Sequence, residues 1–359
     1  SCLEEIDPIS ATLSINTLDF RLHSTDAEFS IVNPQGVYRF LQQRQPVEVY
    51  DEGHAYGTFF LDTWRAESDN IYSMSAIDMV GVLDSTNFMG GIYDGVTVGT
   101  LVAAIFDCTR LNYELNASLV ALTVSGYLPI LSRREALQQV AFALGAVVDC
   151  SRSNKARIYT LDDAGTATIG TDQKFEGGTV EVREYVTGVE VSEHKYTQST
   201  ESIELYNGTL SVGQQTITFS EPAHTLTATG ATISASGANY AVLTVSTAGA
   251  VVLSGKRYND TVRTVGYYSD SLQAGQTENI LRVTDATLVT AANSAAVAKR
   301  VFDYYQLRIE QEFEKELSDE LVGQTVGVVT AYGEEKTGIV ESLDTDLIVG
   351  TTKAVIVGA

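Results

Sequence analysis

Hydrophobic and polar positions alternate with period two through residues 1–85. Thr12-Leu13-Ser14-Ile15-Asn16-Thr17-Leu18 has the spacing of a half-buried strand, because successive side chains of a strand point to opposite faces. Val47–Tyr50, Thr58–Leu61 and Ile71–Met74 repeat the pattern. Asn33-Pro34-Gln35-Gly36 reads as a turn, with proline fixing φ and glycine permitting the last position. This spacing predicts a small sheet or barrel.

The period changes over 86–174. Leu101, Val102, Ile105 and Phe106 form a helical stripe between Val98 and Cys108. Ser132-Arg133-Arg134-Glu135 is a capping box, followed by Leu137, Val140, Ala141 and Leu144 on one face. Gly145 is placed to end that helix. Strands are predicted at 146–150 and 156–159, so this stretch reads as an α+β unit.

Strand patterns return at Val180–Arg183 and Val189–Ser192. From 201 to 283 the chain is rich in Thr, Ser, Ala, Gly and Val, with strands expected near 216–219, 240–245 and 250–253. A helix is expected over about 290–307, with Ala295, Ala298, Val301, Phe302 and Tyr305 on one face. Strands at 325–329, 338–340 and 354–357, with a turn at Gly333-Glu334-Glu335-Lys336, read as the end of a second small barrel. The fold class is mainly β with α+β modules: a first barrel over 1–85, an α+β domain over 86–174, a second barrel from 175–200 with 308–359, and a β-rich insertion followed by a helix over 201–307.

Composition narrows the partners. The 359 residues suffice for two or three domains at about 150 residues each. A chain that is 44% hydrophobic and 19% charged is not a disordered one. Asp plus Glu number 46 against 23 Lys plus Arg, a net charge of −23. Such a surface repels phosphate, which argues against a duplex-binding protein and against docking on anionic lipid. Three cysteines, Cys2, Cys108 and Cys150, give no disulfide framework and suit a reducing compartment. No apolar run reaches the ~18 residues of a membrane span. The opening Ser1-Cys2-Leu3-Glu4-Glu5 lacks the profile of a signal peptide, so the sequons at Asn116, Asn207 and Asn259 carry little meaning.

No cofactor motif is present. Gly255-Lys256 has no glycine-rich loop before it, and no GxGxxG follows a strand. His23, His54, His194 and His224 lack zinc spacing on a helix, leaving only a dispersed metal site open. Cys108 and Cys150 are candidate nucleophiles if a histidine meets them, or else small buried thiols. Asp162-Asp163 and Asp344-Thr345-Asp346 could pair carboxylates for acid–base work or calcium, or lie in solvated turns. Trp64 and the tyrosines fit a sugar-stacking platform or packing at an interface. Arg133-Arg134 could meet a specific acidic neighbour, or point to solvent.

Several segments taken in order carry a resemblance: Phe29 to Tyr38, Gln45 to Tyr50, Gly57 to Trp64, Ile77 to Asp84, Gly90 to Tyr93, Arg134 to Phe142, Gly323 to Val326, Gly338 to Ser342, and Leu347 to Gly350. Their order resembles the baseplate hub (tail-tip) proteins of tailed phages and prophages. The resemblance implies two related small β-barrels joined by α+β modules, and a homotrimer whose six barrels form a ring. That ring continues the tail tube, meets the tail tube and baseplate proteins, and lets DNA pass without gripping it. It also implies location in the virion tail after assembly in the bacterial cytoplasm, with no catalytic, cofactor or metal residues. Because the chain begins so close to Asp7, the first barrel is expected to lack its opening strand. Acidic residues are expected on the ring's inner wall, unless the negative charge serves solubility alone. Against this structural reading stand a carbohydrate-binding tail-tip adhesin using 201–283 and, less favoured, a cell-wall-degrading enzyme.

Overall fold

The computed structural model describes residues 1–358 apart from 26, 27, 31, 34, 52, 53, 69, 271, 273, 274, 276 and 331. Five strands open the chain: β1 (Cys2–Glu5), β2 (Thr17–His23), β3 (Pro46–Asp51), β4 (His54–Ala66) and β5 (Ile71–Ile77). They pair antiparallel in the order β1-β2-β5-β4-β3. Cys2, Leu18, Phe59 and Ala76 share a buried inner face. The strand expected from Thr12 begins only at Thr17. Side-chain acceptors explain the delay. The Asp7 carboxylate takes the N–H groups of Ile9 (3.0 Å) and Thr12 (2.9 Å), and Asp78 takes that of Asn16 (3.0 Å). Leu13 instead packs into the neighbouring α+β core. The turn at 33–36 closes through Gly36 N–H to the Asn33 carbonyl at 3.1 Å. Pro34 of that turn, and Ile31 of the Phe29–Tyr38 segment, lie outside the described residues.

A helical layer follows: α1 (Met79–Leu83), β6 (Asn87–Phe88), β7 (Gly91–Thr97), α2 (Val98–Phe106), β8 (Tyr113–Leu115), α3 (Ala117–Val120), β9 (Thr123–Leu128), β10 (Leu131–Ser132), α4 (Arg133–Leu144), β11 (Val147–Asp149) and β12 (Ala156–Tyr159). The capping box at Ser132 and Glu135 is formed, and Gly145 ends α4 in the left-handed region at φ 73°. Leu101, Val102 and Ile105 of α2 meet Leu137, Val140 and Ala141 of α4 in one core. Full burial of each Leu or Ile contributes about 2 kcal/mol, which is why this layer can anchor its neighbours.

The chain then forms β13 (Thr166–Ile169), β14 (Thr179–Val182) and an arm. The long strands β15 (Gly188–Leu210) and β20 (Gly249–Tyr268) pair antiparallel along their lengths. Between them lie β16 (Gly213–Thr218), β17 (Ala223–Thr229), β18 (Thr232–Ser236) and β19 (Tyr240–Val245). Leu243, Val245, Val251 and Leu253 fill the core between the two small sheets of the arm. β21 (Ile280–Val283) pairs parallel with the base of β15, and α5 (Ser294–Tyr305) packs Val297, Ala298, Val301 and Phe302 against Val189 and Val191. Ala295, expected on that buried face, is exposed.

The last strands are β22 (Ile309–Glu316), β23 (Thr325–Val329), β24 (Glu335–Asp346) and β25 (Thr351–Gly358). They run β23-β24-β25-β22-β14, and β23 also takes β13 as a parallel neighbour. Glu335 and Lys336, expected in the preceding turn, already belong to β24. Phe313, Val326, Val340, Leu343 and Ile356 form the core beneath.

Two separate closed barrels were expected; the strands form one open sheet of eleven. Among the described residues no sheet closes on itself. The reason is the twelve-residue length of β24. Its first half pairs with β23, its register shifts between Val340 and Ser342, and Ser342 to Thr345 then pair with β1. β1 has β2 on its other side, so it fuses the two sets of strands. The N-terminal set therefore does have an opening strand, and it is shared.

Candidate functional site

Strand alternation gives the long sheet a buried face and a solvent face. On β1, Cys2 and Glu4 are buried while Glu5 is exposed. On β22, Phe313 and Lys315 are buried while Glu314 and Glu316 are exposed. On β24, Leu343 and Thr345 are buried while Asp344 and Asp346 are exposed. The register lays Glu314 opposite Lys353, Lys353 opposite Asp344, and Asp344 opposite Leu3. A second row holds Glu312, Val355, Ser342 and Glu5, and β2 adds Asp19. Lys353 stands among these carboxylates, ion-paired to Glu312 at 2.9 Å. Carboxylates outnumber the lysine in these rows, so this part of the face keeps a negative potential at its surface.

Behind the sheet, one guanidinium joins three parts of the chain. Arg152, at φ 49°, projects from the turn between β11 and β12. Its Nε lies 3.6 Å from Glu4 Oε2. Its terminal nitrogens donate to the Ser318 carbonyl at 3.2 and 3.3 Å, and its Cζ lies 5.0 Å from the Tyr56 ring centre. At 3.6 Å the Glu4 contact is a charge pair rather than a hydrogen bond. Burial pushes the Glu4 carboxyl up to about 7, with Arg152 opposing. Burial likewise pushes Asp78 up to about 7, against N–H donation from Gly81 and Asn16. Asp149 is buried and paired with Arg157. Lys315 and Glu320 form a further buried pair at 2.7 Å, tied to Ser318. Sequence reasoning missed all of these. Only Asp78 carried a local signal, an N-cap residue before the apolar run of α1.

The sequence candidates stand apart from one another. Cys150 is buried, with its thiol pushed well up by burial and by Asp78 and Asp149. Cys108 is exposed, and the Asp107 carboxylate it donates to raises its pKa. Burial raises Cys2 to about 12. A thiol moved upward is a poorer nucleophile at neutral pH. Asp163 accepts from Asn116 and Thr160, both at 2.9 Å. Asp346 accepts from the N–H groups of Ile348 and Val349, which hold it below its ordinary range. Trp64 packs near Tyr38, with ring centres 6.4 Å apart. Neither arginine of the 133–134 pair points free into solvent. Arg133 donates to the Ala104 and Ile105 carbonyls at the end of α2, and Arg134 donates to the Leu13 carbonyl and pairs with Asp84 at 3.6 Å.

Of the histidines, His194 contacts Asp260 and His224 contacts Thr225; the side chain of His54 lies outside the described residues. Among the described residues, no three His, Cys, Asp or Glu side chains stand close enough to hold a metal. No helix there is long and apolar enough to cross a membrane.

Solved structures share this fold. The tail protein from Neisseria meningitidis MC58 matches with a TM-score of 0.58 at 11% identity, over 99% of this chain and 91% of that one. The 43 kDa tail protein of prophage MuSo2 from Shewanella oneidensis gives 0.55 at 11% identity, over 99% and 93%. A prophage tail protein from Listeria monocytogenes EGD-e gives 0.57 at 10% identity, over 100% and 88%. At these identities the likeness is one of fold, shared with phage and prophage tail proteins as the resemblance implied, without the two closed barrels. No protein-family model and no curated protein matches the chain.

Proposed function

We propose that this chain, whose fold is that of phage and prophage tail proteins, is a structural subunit of a tail baseplate hub. Three copies form a ring that continues the tail tube and carries the tail-tip device. The observation that carries this reading is the eleven-stranded sheet with its carboxylate-rich solvent face. Each copy offers two sets of strands on one sheet, N-terminal and C-terminal, so three copies give six around an axis. With the acidic face turned to the channel, passing phosphates meet more carboxylates than cations, so few DNA counterions are released and the duplex is not held. The chain works by shape and charge, without a reaction, in the virion tail. Its partners are tail-tube and tail-tip proteins, and its place of assembly is the bacterial cytoplasm.

Electron microscopy of the purified chain at high concentration tests this. Three-copy rings with the acidic face inward are expected. A monomer at every concentration, or a ring with a basic or neutral lumen, overturns the reading.

A further inference from the structure

A cleft of about 690 Å³ opens where β7 and β9 meet the β15–β20 arm and the residues leading into α5. That volume lies within the ~300–1,000 Å³ of small-molecule sites. The cleft is separate from the long sheet, and no strand of that sheet lines it.

His194 stands at its wall. It is 8% exposed. Its Nδ1 lies 2.8 Å from the Asp260 carboxylate. In the neutral ring that contact fixes the proton on Nδ1 and leaves Nε2 as an acceptor. Nε2 is buried and has no hydrogen-bond partner among the described residues. Buried polar atoms are almost always paired, so an unpaired one at the wall of a cleft points to a donor arriving from outside.

The walls are aromatic. Tyr196 stacks on His194, with ring centres 5.9 Å apart and planes within 5°. Tyr127 leans on Tyr196 at 5.4 Å. Tyr93 and Tyr258 line other sides. Burial pushes the Tyr93 phenol up to about 12, so it remains a donor at neutral pH. Charge selects against anions. The lining holds one lysine, Lys195, against Asp94 and Glu193. Glu193 is already engaged by Arg263 at 2.9 Å and Ser294 at 2.8 Å. Phosphate would find no guanidinium fork here. A ligand with apolar faces, several hydroxyls and no charge fits both the rings and the unpaired nitrogen.

We propose that this cleft is a binding site for a neutral saccharide, held by stacking on Tyr196 and Tyr258 and by a hydroxyl donated to His194 Nε2. The site would give a tail component direct contact with sugar at a cell surface. It does not depend on the ring, because the cleft belongs to a single copy.

The full-length chain is screened on an array of neutral oligosaccharides, N-acetylated ones included. The strongest binder is then titrated by calorimetry. Tyr196→Ala is expected to weaken binding at least tenfold. Ala291→Trp is expected to do the same, because Ala291 is exposed and lines the cleft, so the indole fills it without disturbing a core. If Tyr196→Ala lowers the melting temperature, Ala291→Trp alone decides. Failure of every neutral sugar to bind the folded chain, binding confined to anionic polymers, or affinity unchanged in Ala291→Trp overturns the proposal.

Discussion

Arg152 and Glu4 face each other at 3.6 Å behind the long sheet, and Glu4 is only 1% exposed. The pair ties the N-terminal strand to the α+β layer, and the Ser318 contact extends the tie to the C-terminal strands. Removing one partner of a buried pair strands the other charge, at about 3–5 kcal/mol. Arg152→Met should therefore lower stability by about that much in urea titration. The double change Arg152→Met with Glu4→Gln should recover a large part of the loss. Equal losses in the single and double variants would show that the coupling is absent.

The same carboxylates set a pH response. Glu4 and Asp78 hold folded-state values of about 7, above ordinary values of 4.5 and 3.8. The folded chain thus binds more protons than the unfolded chain between about pH 4 and pH 7. Stability must fall as pH rises through that window. Each group costs at most about 3–4 kcal/mol above pH 7. Thermal melts should show a higher midpoint near pH 5.5 than at pH 8, and Glu4→Gln should flatten the slope. At lower pH the direction reverses, because Glu320 and Asp346 have lowered values and lose their stabilising contacts on protonation.

Arg133 closes the end of α2 from the start of α4. Its guanidinium donates to carbonyls that have no partner within α2, at the negative end of that helix. Arg133→Ala should cost about 1–2 kcal/mol, read as a lower unfolding midpoint. Arg133→Lys should recover only part, since one ammonium does not reproduce the planar fork.

What the sequence disclosed was local. Ser132, Glu135 and Gly145 mark the limits of α4 through groups a few residues apart, and these were legible. The period-two runs gave β3, β4, β5 and β25 for the same reason. The role of β1 was not legible. It is four residues long, and one of its two inward positions is Glu4, which reads as exposed until Arg152 arrives from far along the chain. The expected strand from Thr12 failed because Asp7 and Asp78 accept backbone N–H groups that a sheet neighbour would otherwise take. The cleft at His194 was equally hidden, since its walls come from segments distant in sequence, and histidine spacing held no hint of Asp260. Two closed barrels gave way to one fused sheet because β24 is long enough to serve two neighbours end to end.

The acidic face leads to the last prediction. Glu314, Lys353 and Asp344 lie side by side on β22, β25 and β24. Exposed substitutions of this kind change stability by only about 0.5 kcal/mol, so charge can be reversed without unfolding the sheet. The native chain should not retard duplex DNA in a gel at low salt. The triple variant Glu312→Lys, Glu314→Lys, Asp344→Lys should retard it, because it places four lysines on neighbouring strands. The retardation should weaken as salt rises, with a slope of about 0.9 per phosphate contact. A native chain that binds duplex as well as the variant does would mean that the carboxylates do not keep DNA free, and the channel role assigned to this face would fall.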